Sequence, residues 1–238
     1  MEKVLVFSAH AADFVWRAGG TIAKYLENGD QVKLIIISLG VRGESNHLWK
    51  EEGQTYENVA AIRTKEASDA AKILGVTDIE FWNEQDYPMR DTPELENRIY
   101  ETIRRFRPTV ILTHAKNDIL NPDHNLVHEM VWRCSIMSNS NGIRLEGTTV
   151  TKQMKIYGFE PHQTELSGYK PTTFIDVTST ADKKIAAMNC FKAQPHLISY
   201  YTDRLSMRGN HAKRVSGIQT IKAAESFESM YPSVVEYL

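Results

Sequence analysis

The sequence predicts an α/β fold in which a mostly parallel sheet is flanked by helices. Three observations predict it. Apolar-rich runs recur at residues 4–7, 32–38 and 109–113, with a further short strand at 79–82, and the continuous run at 4–7 is the pattern of a strand covered on both faces. Segments with apolar side chains at helical spacing alternate with these runs, four times in the first half of the chain. Turn-forming Gly, Asn, Asp and Pro residues punctuate the junctions. Such an order implies right-handed crossovers and places a site in the loops that follow the strands.

The first run leads into His10 and Asp13, and Gly19-Gly20 then lies in a helical stretch ending near Asn28-Gly29-Asp30. The second run is followed by the glycine-bearing loop Gly40-Val41-Arg42-Gly43-Glu44-Ser45. Residues 57–74 carry Val59, Ile62, Ala67, Ala70, Ala71 and Leu74 at helical spacing, and Gly75 supplies the stop. After the short strand at 79–82, Thr92-Pro93-Glu94 opens a helix with a capping residue and a proline at its first position. Leu95, Ile99 and Ile103 continue it to Phe106, and Pro108 ends it. The strand at 109–113 precedes a long loop from His114 to Pro122, and Pro122-Asp123-His124 begins an amphipathic segment with Leu126, Met130 and Val131. Residues 154–159 read as a strand ending in Glu160-Pro161-His162, and 173–177 as another. A helix over 182–191 turns Ile185, Ala186 and Met188 inward. The Tyr-, Arg- and His-rich stretch from Gln194 leads to a predicted final helix over 218–230. No repeat, low-complexity tract or long linker divides the chain, so residues 1–238 are expected to form a single Rossmann-like domain.

With 238 residues and 42% apolar content, the chain has enough material for a substantial core. Lys plus Arg number 28 against 30 Asp plus Glu, a formal charge of -2. Neither nucleic acid nor an anionic membrane is therefore an expected partner, and a substrate must be recognised locally. Cys134 and Cys190 are far apart and in no metal or redox spacing, which fits reduced thiols and a cytoplasmic location. No export signal is legible at the start, and no run reaches transmembrane length.

His10 and Asp13 stand just after a predicted strand. A neutral imidazole and a carboxylate three positions apart suit a divalent ion, although a third ligand must come from elsewhere. The same pair also fits a turn histidine beside a helix-capping aspartate. His124 likewise follows a strand, so the fold would gather His10, Asp13 and His124 on one edge. Two histidines, one carboxylate and water make an open, catalytic type of zinc site. His128, one helical turn after His124, is an alternative ligand, and His114 either bonds within the site or closes its strand. His47, His196 and His211 have no partner legible from spacing. GxGxxG is absent around Gly19-Gly20, which argues against a nicotinamide enzyme.

In order and over nearly the whole chain, the stretches AHAADF, RAGGTIA, SLGVRGES, EASDAAKILGV, NPDH and IDVTSTADKKIAAM resemble the PIG-L/LmbE-like zinc-dependent N-deacetylases. That resemblance implies bound Zn2+, puts its ligand roles on His10, Asp13 and His124, and gives Asp123 a supporting catalytic role. It also implies a homo-oligomer, a trimer or a hexamer.

Two positions depart from the family pattern. Ala12 stands where the deacetylases carry the aspartate that acts as general base, and Asn121 replaces the histidine that opens their later motif. A methyl group accepts no proton, and amide hydrolysis needs a base, an electrophile and an acid for the leaving amine. The variant first motif, with RGES, NPDHNLVH and FEPHQ, is similar to a divergent branch of the superfamily, the 4-oxalomesaconate hydratases of aromatic acid breakdown. This implies hydration of an unsaturated carboxylated 2-oxo acid, a small-molecule substrate, with Glu44 and His162 as catalytic groups. Arg42 and Asn121 are then the substrate-binding candidates, since arginine's planar fork suits carboxylates. Arg17, Arg204, Arg208 and Arg214 are further candidates for that role. The alternative is an N-deacetylase acting on an N-acetylglucosamine-type amide, with Glu44 standing in for the lost aspartate.

Overall fold

The computed structural model describes residues 1–237. Its elements run β1 Lys3–Ser8, α1 Asp13–Glu27, β2 Gln31–Ser38, α2 Tyr56–Leu74, β3 Asp78–Glu84, α3 Pro93–Phe106, β4 Val110–His114 and α4 Pro122–Ser138. They continue with β5 Lys155–Phe159, β6 Thr173–Asp176, α5 Ala181–Met188, α6 Leu197–Ser216 and β7 Ala224–Ser229. One sheet holds all seven strands in the order β3-β2-β1-β4-β5-β7-β6. The first five run parallel, while β7 pairs antiparallel with both β5 and β6. The predicted mostly parallel α/β architecture is thus the observed one.

The apolar runs are continuous because each face of the sheet meets helices. Val4 and Val6 pack with Leu34, Ile36 and Leu112 on one face, against Phe14, Ile22 and Leu74. Leu5 and Phe7 pack with Ile35, Ile37 and Ile111 on the other, against Ile99, Met130 and Val131. Successive residues of a strand point to opposite faces, so a strand covered twice has no polar side. The helix starts follow the capping chemistry: Thr55, Thr92 and Asn121 accept the N–H groups of Asn58, Leu95 and His124.

Two sequence expectations are corrected. The final helix expected over 218–230 is a strand, β7, and the long helix is α6 in the preceding polar stretch. Gly217, with φ +74°, ends α6 in the left-handed conformation. Residues 224–227 are buried, although two of them are Glu225 and Ser226. Lys184 Nζ meets Glu225 Oε1 at 2.6 Å, and Ser226 donates to Glu160 Oε2 at 2.5 Å, so tertiary partners carry polar groups into this strand. The helix expected over 182–191 is also shorter, since α5 ends at Met188 and Phe191 belongs to the turn beyond it. Both cysteines are free, and among the described residues no helix is long and apolar enough to cross a membrane.

With β1, β2, β4 and β5 parallel, their carboxyl ends share one edge. Strand order reverses between β1 and β4, and the crevice at such a reversal is where open α/β sheets bind ligands. His10 follows β1, Glu44 follows β2, His114 ends β4, and Glu160 follows β5.

Candidate metal centre and active site

The turn after β1 and the start of α4 bring three donor atoms together. His10 Nδ1 and His124 Nε2 are 3.2 Å apart. Asp13 Oδ2 lies 3.4 Å from the first and 3.3 Å from the second. A tetrahedral ion with bonds of about 2.0–2.1 Å has ligand-to-ligand edges of roughly 3.3 Å, so this triangle matches one tetrahedral face. Glu44 and His114 flank it as further donors, grouped with His10 and His124 and with Asp13 and His124 respectively. The triangle is buried, with both imidazoles 1% exposed.

The other nitrogen of each imidazole meets a carboxylate. His10 Nε2 lies 3.2 Å from Asp123 Oδ2, and His124 Nδ1 lies 3.0 Å from Asp118 Oδ2. A carboxylate behind each histidine fixes ring orientation and raises the basicity of the facing nitrogen, the usual support of metal-ligating imidazoles. The donor set therefore fits a divalent ion such as zinc. Charge agrees: burial opposes a proton on His10, yet Asp123, Asp13 and Glu44 push its pKa up to about 10. Burial likewise opposes a charge on Asp13, but His124, His10 and His114 hold it well below the usual carboxylate range. Carboxylates crowd here around a place that calls for positive charge.

Asp123 also accepts the backbone N–H groups of Tyr87 at 3.0 Å and Met89 at 2.9 Å. Its oxygens are thus shared between His10 and these two backbone amides. Arg17 is equally committed: its guanidinium donates to the Glu160 carbonyl at 2.6 Å and to Asp118 at 3.3 Å, and Nε lies 3.4 Å from Asp13. Arg208 grips Glu160 with contacts of 2.5 and 2.9 Å, while Arg204 donates to the carbonyls of Pro161 and His162. These three arginines thus converge on Glu160, its neighbouring carbonyls, Asp13 and Asp118.

Glu44 stands at the boundary between the triangle and a cavity of about 370 Å3, which it lines together with His162, Gln194 and Tyr200. Its Oε1 lies 3.8 Å from His10 Nδ1 and accepts Asn121 Nδ2 at 2.8 Å and Tyr87 Oη at 3.4 Å. Its Oε2 accepts Gln194 Nε2 at 2.7 Å. Gly40, at φ +67°, and Gly43 shape this loop: a Cβ on Gly43 would fall 2.2 Å from the Tyr87 ring. The structure therefore joins Asn121 to Glu44, using its oxygen to cap α4 and its amide nitrogen to bind the carboxylate. Arg42 has an exposed side chain that is not part of the cavity lining, and its backbone N–H is held by Asp86 at 2.9 Å.

His162 Nδ1 lies 3.2 Å from Tyr201 Oη. Burial and the nearby Arg17 charge lower its pKa to about 3, so it is neutral near pH 7. His114 Nε2 accepts the Ala9 N–H at 3.0 Å and its ring stacks on His124 at 4.0 Å. His128 turns away, bonding the His114 carbonyl through Nδ1 at 2.8 Å. Sequence reasoning missed Asp118 and Tyr87. Asp118 lies in the loop leading to NPDH, and an acidic residue a few positions before a candidate ligand was the available signal; nothing local marked Tyr87.

Fold and site together define a class: a Rossmann-like α/β protein whose sheet reversal point carries a His-Asp-His donor triangle backed by carboxylates. A family model described as PIG-L, GlcNAc-PI de-N-acetylase, matches residues 5–135. The chain belongs to the PIG-L family. It is 40% identical to the 4-oxalmesaconate hydratase of Pseudomonas putida over 240 aligned positions, which cover 100% of this chain and 92% of that protein. The crystal structure of the 4-carboxy-2-hydroxymuconate hydratase from Pseudomonas putida superposes with a TM-score of 0.95 at 41% identity, covering all of both chains. A more distant relative, a 1D-myo-inositol 2-acetamido-2-deoxy-alpha-D-glucopyranoside deacetylase of Saccharopolyspora erythraea, is 26% identical over 81% of this chain and 77% of its own length.

Proposed function

We propose that this chain is a zinc-dependent hydratase that adds water across the activated carbon-carbon double bond of a carboxylated 2-oxo acid resembling 4-oxalomesaconate. The observation that carries the reading is the carboxylate inventory around the donor triangle. Ala12, 2% exposed at the start of α1, offers a methyl group where amide hydrolysis in this family needs a base. Asp13, Asp118 and Asp123 are committed to the triangle and its imidazoles, which leaves Glu44 as the carboxylate bordering both triangle and cavity. Full-length similarity to the Pseudomonas putida hydratase, in sequence and in structure, supports the same reading.

His10, Asp13 and His124 would hold the zinc ion. When bound, it supplies a Lewis acid that withdraws electron density from the oxygen end of the substrate. Glu44 moves a proton between water and substrate through Oε2, the oxygen whose bond to Gln194 leaves a second lone pair available. His162 is neutral. With the Tyr201 hydroxyl donating to Nδ1, its Nε2–H serves as a hydrogen-bond donor to negative charge developing on the substrate. Hydration releases no amine, so this site needs no acid for a departing nitrogen.

The decisive experiment measures hydration of 4-carboxy-2-hydroxymuconate by zinc-loaded protein, then after chelation and after zinc is restored. Turnover that disappears and returns with zinc is expected; turnover indifferent to metal removal, or none with zinc loaded, overturns the reading. The second reading, an N-deacetylase, draws on the 26% identical deacetylase and predicts amine release from an N-acetylglucosamine derivative. We further propose a cytoplasmic homo-oligomer, a trimer or hexamer, and light scattering of the purified chain measures that state directly.

A further inference from the structure

Behind Glu44 runs a buried polar chain that reaches Arg63 through Gln194. Arg63 of α2 is fully buried, and each part of its guanidinium has a partner. Nε donates to the Leu39 carbonyl at 3.2 Å. Nη1 donates to Glu66 at 2.9 Å, and Nη2 reaches Gln194 Oε1 at 3.5 Å. Gln194, 7% exposed in the turn between α5 and α6, passes the contact on through Nε2 to Glu44 Oε2 at 2.7 Å. The Ala193 N–H, one residue earlier, donates to Glu66 Oε1 at 3.0 Å. The Arg63-Glu66 pair thus ties two loops together: the one after β2, which carries Glu44, and the turn that carries Gln194.

From this arrangement we infer that Gln194 is a positioning residue for Glu44, with its amide orientation set by Arg63; the inference rests on the hydratase reading of Glu44. Arginine has only donors and remains charged, so it can accept nothing from Gln194. The amide oxygen must therefore face Arg63, which turns the amide nitrogen onto Glu44. Asn121 holds Oε1 at 2.8 Å and Gln194 holds Oε2, so the carboxylate is clamped by one neutral amide on each oxygen. The clamp stops the glutamate from rotating into the adjacent cavity and adds no second charge beside it. A hydrogen bond to a charged group is among the stronger ones in proteins, and it is strongest where water is excluded. An alternative view makes Arg63 and Glu66 only a core ion pair holding α2, in which case the amide of Gln194 has no bearing on turnover.

Two variants separate the views. Gln194→Met keeps the length and removes the donor; Gln194→Glu keeps a partner for Arg63 and puts an acceptor where the donor stood. Both are expected to lower kcat for hydration by about tenfold to a hundredfold, with KM changed by less than about twofold. Gln194→Glu should also keep the thermal midpoint close to that of the parent chain. Crystal structures of the zinc-loaded variants should show Glu44 rotated away from Asn121. The inference is overturned if both variants keep parental kcat while Glu44→Gln is inactive, if KM rises in place of a kcat loss, or if Glu44 stays in place. Should the parent chain fail to hydrate the test acid, the hydratase reading fails, and the crystallographic position of Glu44 still decides the role of Gln194.

Discussion

Asp118 Oδ2 stands 3.0 Å from His124 Nδ1, and the same carboxylate lies 3.3 Å from Arg17 Nη2. His124 thereby has one nitrogen fixed by a buried acid and the other turned toward His10 and Asp13. Asp118→Asn removes the charge behind the imidazole but keeps the side-chain shape. Zinc affinity is expected to fall by about tenfold to a hundredfold, measured by competition with a chromophoric chelator, with the circular dichroism spectrum unchanged. Unaltered affinity would show that Asp118 serves only Arg17.

Glu44→Gln should leave zinc content at the parental level and cut kcat/KM by about two to four orders of magnitude, the usual scale for losing a positioned proton-transfer group. Metal analysis alongside steady-state kinetics checks both halves. Loss of zinc together with activity would make Glu44 a ligand in place of a proton carrier, a role its 3.8 Å approach to His10 Nδ1 also permits.

His162 gives the fold an acid sensitivity of definite sign. Its folded pKa lies at about 3, below the ordinary 6.5, so between these values the unfolded chain binds the proton and the folded chain resists it. Its contribution to stability is present above about pH 6.5 and is lost as the pH falls toward 3. His162→Gln is expected to flatten the fall of the thermal midpoint between pH 7 and about 4 relative to the parent. A variant whose midpoint falls just as steeply would place the acid sensitivity elsewhere.

Ala12→Asp restores the carboxylate that the deacetylases carry beside the ligand Asp13. Detectable amine release from an N-acetylglucosamine derivative is expected, together with slower hydration, because a second base then competes for the same water. Stability without metal should fall, since another acid joins Asp13, Asp118 and Asp123 in a buried site. No amine release and undiminished hydration would show that Ala12 does not govern the choice of reaction.

Much of this protein is written locally. The runs that become β1, β2 and β4 are mostly apolar because both faces are covered, and Thr92-Pro93 and Gly75 mark helix ends through their own backbone chemistry. His10, Asp13 and His124 were legible because each follows a strand whose direction the alternating pattern implies. The C-terminal stretch was not legible in this way. Gly209 looks like a helix breaker, yet it sits inside α6, where a Cβ would fall 2.3 Å from the Lys222 carbonyl oxygen. Ala-Glu-Ser-Phe-Glu-Ser lacks a strand's apolar face, because Glu225 and Ser226 satisfy partners 41 and 66 residues away.

The sequence by itself therefore determined the parallel strands β1 to β5, most helix boundaries in that part of the chain and the candidacy of His10, Asp13 and His124, since periodicity, caps and strand ends act over a few residues. Tertiary structure alone decided which charges are spent and which are free. Arg17, Arg204 and Arg208 turn to Glu160 and its neighbouring carbonyls, Asp118 backs His124, and Gln194 reaches Glu44 across 150 positions of chain. Buried polar groups take whichever partner lies within about 3 Å, and that distance is set by how the layers stack, which no local stretch encodes.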